Sequence, residues 1–249
     1  RIHPDNDGQM VMAYLFLKAQ GLTGNEVSSV SIDARNSAVV ASKNCKISKL
    51  KKNGADLTFD YLANALPYPL DSIPRHGWGN KSSQRDAMQL VPFMEEFNQE
   101  RLQVIDLEEG LYRLTIGDQF IDNLSSKELA SGVNLANYPN TPQYQQAAKI
   151  MYLNEERFEI EKRFREYLWT ECSFLKKEGL LFADNQQAID KLKEYLPKDM
   201  FLRASYDWYI KAMHPEIRKV WDDYMKNIVE TIYKINKPVT QKVRLTRIE

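Results

Sequence analysis

Between Gly8 and Gly21 the chain carries an almost unbroken apolar run, Met10-Val11-Met12-Ala13-Tyr14-Leu15-Phe16-Leu17. Apolar side chains all round a helical repeat predict a helix buried on more than one side, as when it lies between a sheet and a further layer. After Gly21 and Gly24 the period drops to two, with Val27, Ser29 and Ser31 set against Ser28, Val30 and Ile32. Lys46–Lys51 and Asp56–Leu62 then flank Asn53-Gly54, a pair suited to the positive φ of a tight hairpin turn, so an antiparallel hairpin is predicted with Leu57, Phe59 and Tyr61 on one face. Arg101–Leu107 and Leu111–Ile116 read as a second hairpin through Glu108-Glu109-Gly110, and Gly117-Asp118 turns into Phe120-Ile121. Residues 25–124 thus predict a small β-sandwich or meander. Residues 67–83 interrupt it with three Pro and two Gly, which read as a long ordered loop or lid.

Helical signals dominate the rest. Ser125-x-x-Glu128 has the spacing of a capping box, and Thr141 before Pro142 marks a helix start where the missing proline N–H costs nothing. From Gln143 to about Lys177, Ala147, Met151, Phe158, Phe164, Leu168, Cys172 and Leu175 recur at roughly helical spacing. Glu159/Arg163 and Glu161/Arg165 form i,i+4 pairs on its charged faces. A shorter helix is expected over about 186–196. A last one spans Tyr206–Ile235, with Tyr206, Ile210, Met213, Ile217, Val220, Tyr224 and Ile228 as a bundle seam. Pro215 splits or kinks that helix and leaves His214 at the junction. Val239–Ile248 alternates and adds one strand.

Composition removes several functional classes. Lys plus Arg equals Asp plus Glu at 34 each in 249 residues, so no global field favours nucleic acid or an anionic membrane. No apolar run approaches the ~18 residues of a membrane span. Three His and the two cysteines, Cys45 and Cys172, give no metal-ligand spacing and no disulfide framework, so neither a metal nor another cofactor is expected.

His3-Pro4-x-x-x-Gly8, leading into a helix that ends Leu17-Lys18-Ala19-Gln20-Gly21, resembles the last motif of the SGNH/GDSL hydrolases, a family of serine esterases and lipases. Weaker likenesses to multidomain members lie at Leu90-Val91-Pro92-Phe93 with Asn98, at Gly110-Leu111-Tyr112-Arg113-Leu114, and at 128–136 with Thr141-Pro142. The resemblance implies that His3 is the catalytic base, that residues 1–24 are the C-terminal end of an α/β hydrolase domain, and that the location is periplasmic or secreted. In the family an Asp stands three residues before the His, and a Gly-Asp-Ser carries the nucleophile. Neither falls within this sequence, and Asp5 and Asp7 read as turn residues before Gly8. An upstream segment of the same polypeptide would have to supply both, because mutual positioning provides most of a triad's effect.

Two further residues are candidates for substrate contact. Trp78, with His76 in the turn-rich loop, is flanked by glycines and suits stacking on a sugar ring, or else plugs a gap under a surface crossover. Asn134, beside Gly132 and Val133, suits donation to an oxyanion or a substrate hydroxyl, or else a helix cap. The expected fold class is α+β: the terminal hydrolase helix in 1–24, an antiparallel β module in 25–124 and a helical module in 125–249. The expected function is hydrolysis of an acyl ester, with a short acyl group on a carbohydrate as the first substrate the resemblance implies and a lipid or another small ester behind it. The alternative is an accessory module without catalysis that binds carbohydrate or a protein partner.

Overall fold

A computed structural model describes residues 4–74 and 81–248. The fold is α+β, with two sheets and a C-terminal helical region. The chain divides into two compact units, residues 1–149 with 236–249, and residues 150–235. The segment after the helices returns to the β-rich unit as a strand paired with residues 57–61.

In the first unit a four-stranded sheet runs in the order β2 (Ala38–Lys43), β1 (Ser28–Asp33), β5 (Glu100–Ile105) and β8 (Val133–Asn134). The five-stranded sheet has the order β3 (Cys45–Asn53), β4 (Asp56–Ala63), β9 (Gln241–Arg247), β6 (Leu111–Ile116) and β7 (Gln119–Ser125). The hairpins β3/β4 and β6/β7 lie where Asn53-Gly54 and Gly117-Asp118 place them, with Gly54 and Gly117 at φ of 60° and 61°.

The expected hairpin across 108–110 does not form. β5 pairs in parallel with β1, while β6 pairs with β7 and β9 in the other sheet. Asp106, at a φ of 56°, sits where the chain leaves one sheet for the other. The four-stranded sheet is therefore mixed rather than antiparallel. Inward alternation from both sheets (Val30, Ile32, Leu57, Phe59, Leu102, Val104, Tyr112, Leu114, Ile116, Val243, Leu245) fills one core. Each such side chain contributes about 1.5–3 kcal/mol on burial. Helix α3 (Ser126–Ser131) closes over it through Leu129, started by the expected capping box, in which Glu128 N–H donates to Ser125 Oγ at 3.2 Å and Ser125 N–H donates to Glu128 Oε2 at 2.8 Å.

Helix α1 (Asn6–Ala19) packs on a short 3₁₀ helix (Gln84–Gln89) and on α2 (Phe93–Glu96). Met10 and Tyr14 join Leu70, Ala87, Val91 and Phe93 in a small second core. Among the described residues the helix is covered on that side only: Met12, Leu15 and Phe16 are 61%, 55% and 64% exposed, against the burial on several sides that their apolarity predicted. Tyr14 Oη donates to Glu96 Oε2 at 2.8 Å, and Lys18 Nζ donates to Glu96 Oε1 at 2.9 Å, which fixes α1 to the segment before β5.

α4 (Pro142–Thr170) starts after Thr141 as expected, passes into a π-helical turn at Glu171–Leu175, and is followed by α5 (Gln186–Tyr195), α6 (Met200–Ala212) and α7 (Pro215–Ile235). Pro215 splits the helix expected over 206–235 into α6 and α7, beginning the second and leaving His214 at the junction. The inward faces differ in part from those read off the spacing. Ile160, Tyr167, Phe174, Leu175, Leu202, Tyr209, Met213, Trp221 and Ile228 are buried, while Phe158, Leu168, Val220 and Tyr224 are well exposed. Tyr, Phe and Leu populate both faces of these helices, so apolarity alone does not single out the packed one. Among the described residues no helix is long and apolar enough to cross a membrane.

Candidate functional site

His3 and Trp78, the two aromatic residues singled out from the sequence, lie outside the described residues, as does His76. Residues 67–74 lead along the chain toward His76 and Trp78, and their backbone is strongly tied down. Tyr68 N–H donates to Asn98 Oδ1 at 2.8 Å and Asn98 Nδ2 returns a bond to Tyr68 O at 2.9 Å. Asn98 is 1% exposed, so its amide works here in place of a strand partner. Farther along, Tyr144 Oη donates to Leu70 O at 3.2 Å and Gln84 Oε1 accepts from Asp71 N–H at 3.3 Å. On the far side Ser83 caps the 3₁₀ helix, its N–H donating to Asp86 Oδ2 at 2.6 Å. The described parts of the turn-rich segment are thus held by side-chain amides and caps in place of a sheet.

From Asn98 a polar spine runs into the β core. Asn134 Nδ2 donates to Asn98 O at 3.0 Å, and Asn134 Oδ1 accepts from Glu100 N–H at 2.9 Å and Ala136 N–H at 3.1 Å. Asn134 therefore stitches β8 to β5 and caps the short helical turn after it, a backbone role for the amide considered above as a substrate donor. Gly132, two residues earlier, adopts a φ of 92°, which calls for glycine; a Cβ there would also displace the Arg101 guanidinium, whose Nε would lie 2.5 Å away.

Glu100 occupies an inward position of β5 and is fully buried. Its Oε1 accepts from Tyr61 Oη at 2.7 Å and from Gln143 Nε2 at 3.0 Å, while Tyr61 Oη lies 2.5 Å from Ser28 Oγ. Oε2 accepts no hydrogen bond from any described residue. Burial drives the Glu100 carboxyl up to about 7, a rise that the Tyr61 and Gln143 donors only partly offset. The same burial, reinforced by Glu100, pushes the Tyr61 phenol far up, so it remains a donor at any ordinary pH. Ser28, Tyr61, Glu100 and Gln143 come from β1, β4, β5 and α4, and none of them reads as a site residue in the sequence. The one available signal was a glutamate at an inward step of the alternation Glu100, Leu102, Val104.

The helical unit has a polar cluster of its own. Glu171, in the π turn, is fully buried and accepts from Phe182 N–H at 2.6 Å through Oε2. Its carboxyl is raised by burial, against the pull of that donor. Nearby, Tyr167 Oη donates to Asp184 Oδ1 at 2.9 Å and Arg218 Nη1 meets Asp184 Oδ2 at 3.0 Å. The Arg218 guanidinium lies 5.0 Å from the centre of the Tyr167 ring, which is stacked on Tyr209 at 5.8 Å. No cluster of three or more His, Cys, Asp or Glu suited to a metal ion occurs among the described residues.

A cavity of about 210 Å³ borders the first turns of α1, lined by Asn6, Gln9, Met10, Ala13, Tyr68 and Gln84. It opens three residues along the chain from His3 and is walled by the tethered segment at Tyr68.

Residues 148–237 match the family model of the diltiazem deacetylase C-terminal helical domain, which extends two residues beyond the helical unit 150–235 at each end. A solved structure of a gut microbial diltiazem-metabolizing enzyme is similar to this chain at 50% sequence identity and a TM-score of 0.92. That match covers 99% of this chain and 55% of the other, so the chain spans about half the length of the structure it resembles. No match was found among curated proteins. The chain is thus similar along nearly its whole length to a drug-metabolizing enzyme, and its helical unit to a deacetylase domain.

Proposed function

We propose that this chain is the C-terminal part of an ester hydrolase that removes a short acyl group, acetyl foremost, with His3 as general base in the manner of the SGNH/GDSL hydrolases. The observation that carries the reading is the 50% identity, over 99% of the chain, to an enzyme described as metabolizing diltiazem, joined to the deacetylase domain matched by residues 148–237. The His3-Pro4-x-x-x-Gly8 motif, which runs into the first turn of α1, supports the choice of His3. In this mechanism a serine elsewhere in the polypeptide attacks the acyl carbonyl, and His3 takes its proton and then delivers it to the departing alkoxide. Water repeats the sequence on the acyl-enzyme. An acylated carbohydrate is the substrate class proposed, with Trp78 as a stacking residue beside the sugar.

The test is hydrolysis of p-nitrophenyl acetate and of an acetylated sugar by the complete polypeptide that contains this chain. His3→Ala is expected to lower kcat by at least about a thousandfold, as loss of one member of a cooperating triad does. Full turnover after His3→Ala would falsify the assignment.

A further inference from the structure

We propose that the cavity beside α1 receives a neutral, ring-sized alcohol portion of the ester, and that Tyr68 sets this specificity; the inference rests on the hydrolase reading above. All six lining residues belong to the β-rich unit. The volume of about 210 Å³ admits one ring and little more, since a dry cavity of roughly 150 Å³ accommodates benzene.

Tyr68 is held at three points. Its backbone is bracketed by the Asn98 amide, its ring meets Phe93 edge-on with centroids 5.5 Å apart, and its hydroxyl donates to Gln84 Oε1 at 3.0 Å. Despite these ties the side chain is 40% exposed at the cavity wall. An aromatic ring fixed in this way costs little further ordering when a flat partner settles on it.

The polar groups say what kind of ring fits. Gln84 Oε1 already accepts from Tyr68 and from Asp71 N–H, which orients the amide and leaves its NH₂ as the open donor. The Asn6 amide has no hydrogen bond within the described residues, and the Tyr68 oxygen keeps its lone pairs after donating. Met10 and Ala13 supply the apolar wall, and among the described residues no charged side chain lines the cavity. An ionised group would lose hydration there without gaining a counter-charge, whereas a neutral ring bearing ether, carbonyl or hydroxyl oxygens meets both donors and acceptors.

The test compares cyclohexyl acetate with ethyl acetate as substrates of the complete polypeptide. Tyr68→Ala is expected to lower kcat/KM for the cyclohexyl ester about tenfold more than for the ethyl ester, with the difference carried by KM. Ala13→Phe, which fills the cavity from an exposed helix position and removes no packing, should produce the same selective loss. Equal losses on both esters after Tyr68→Ala, or unchanged selectivity after Ala13→Phe, overturn the pocket. A wild-type polypeptide without activity on either ester overturns the hydrolase reading and the pocket with it. Activity that depends on His3 with selectivity unmoved by either variant overturns the pocket alone.

Discussion

Two buried acids show how differently the two units keep a carboxyl group away from water. In the β-rich unit Glu100 is surrounded by neutral donors, Tyr61 and Gln143, and the group holds its proton up to about 7. Acidic pressure in the helical unit is shared: Glu171 takes a backbone donor from Phe182, and its neighbour Asp184 is matched by Arg218 and Tyr167. Burial pushes both acids toward the protonated form; the strand surrounds its acid with neutral donors alone, while the helices set an ion pair beside theirs. A lone carboxylate in a core without a cation is cheapest when neutral, whereas a second acid nearby makes a guanidinium worthwhile.

This difference is open to attack by pH first. Glu100 ionises near its ordinary 4.5 in the unfolded chain but near 7 in the folded one. Its contribution therefore favours the folded state fully below the lower value, is lost as pH rises between the two, and stays lost above. The loss amounts to about 3 kcal/mol. Glu100→Gln, which keeps an acceptor for Tyr61 and Gln143, is expected to remove that part of the slope in urea titrations at pH 4 to 8. An unchanged slope would show that Glu100 is already ionised in the fold.

The next largest effect is expected from the ion pair. Arg218→Leu strips Asp184 of its cation and should destabilise the chain by about 2 kcal/mol, moderated by the partial exposure of both side chains, at 26% and 17%. Added salt should weaken wild type and leave the variant nearly indifferent, so that the gap between them narrows; salt-independence in both would deny the pair any role. The finest test is Tyr61→Phe, with a cost of about 1 kcal/mol for one donor lost from the spine. Because that donor pulls the Glu100 carboxyl down, its removal should move the titration midpoint above the wild-type value, read from the same pH series. A midpoint that falls instead would mean that Tyr61 does not donate to Glu100.

Local chemistry was the legible part of this molecule. Asn53-Gly54, Ser125 with Glu128, Thr141 before Pro142, and Pro215 each act within a few residues, and each stands where its turn or cap geometry requires. Pairing across distance was not legible. β5 joins β1 in parallel from about seventy residues away, and nothing in the alternation of either strand distinguishes that from a hairpin with β6. The polar spine was hidden for the same reason: Ser28, Asn98, Glu100 and Gln143 are ordinary surface residue types until four elements bring them together. The tethered Tyr68 wall beside α1 likewise emerged only from the geometry around Asn98 and Gln84.

The placement of β9 bears on how the chain is made. Its strand lies between β4 and β6, yet it is synthesised after the whole helical unit. During translation, at ~5–20 residues per second, the two flanking strands wait on the order of ten seconds with open edges facing each other. Such edges invite pairing with any extended segment nearby. A nascent chain with β4 and β6 made but β9 still to come is thus open to chaperone capture or aggregation, and β9 acts as the bolt that ends that vulnerability.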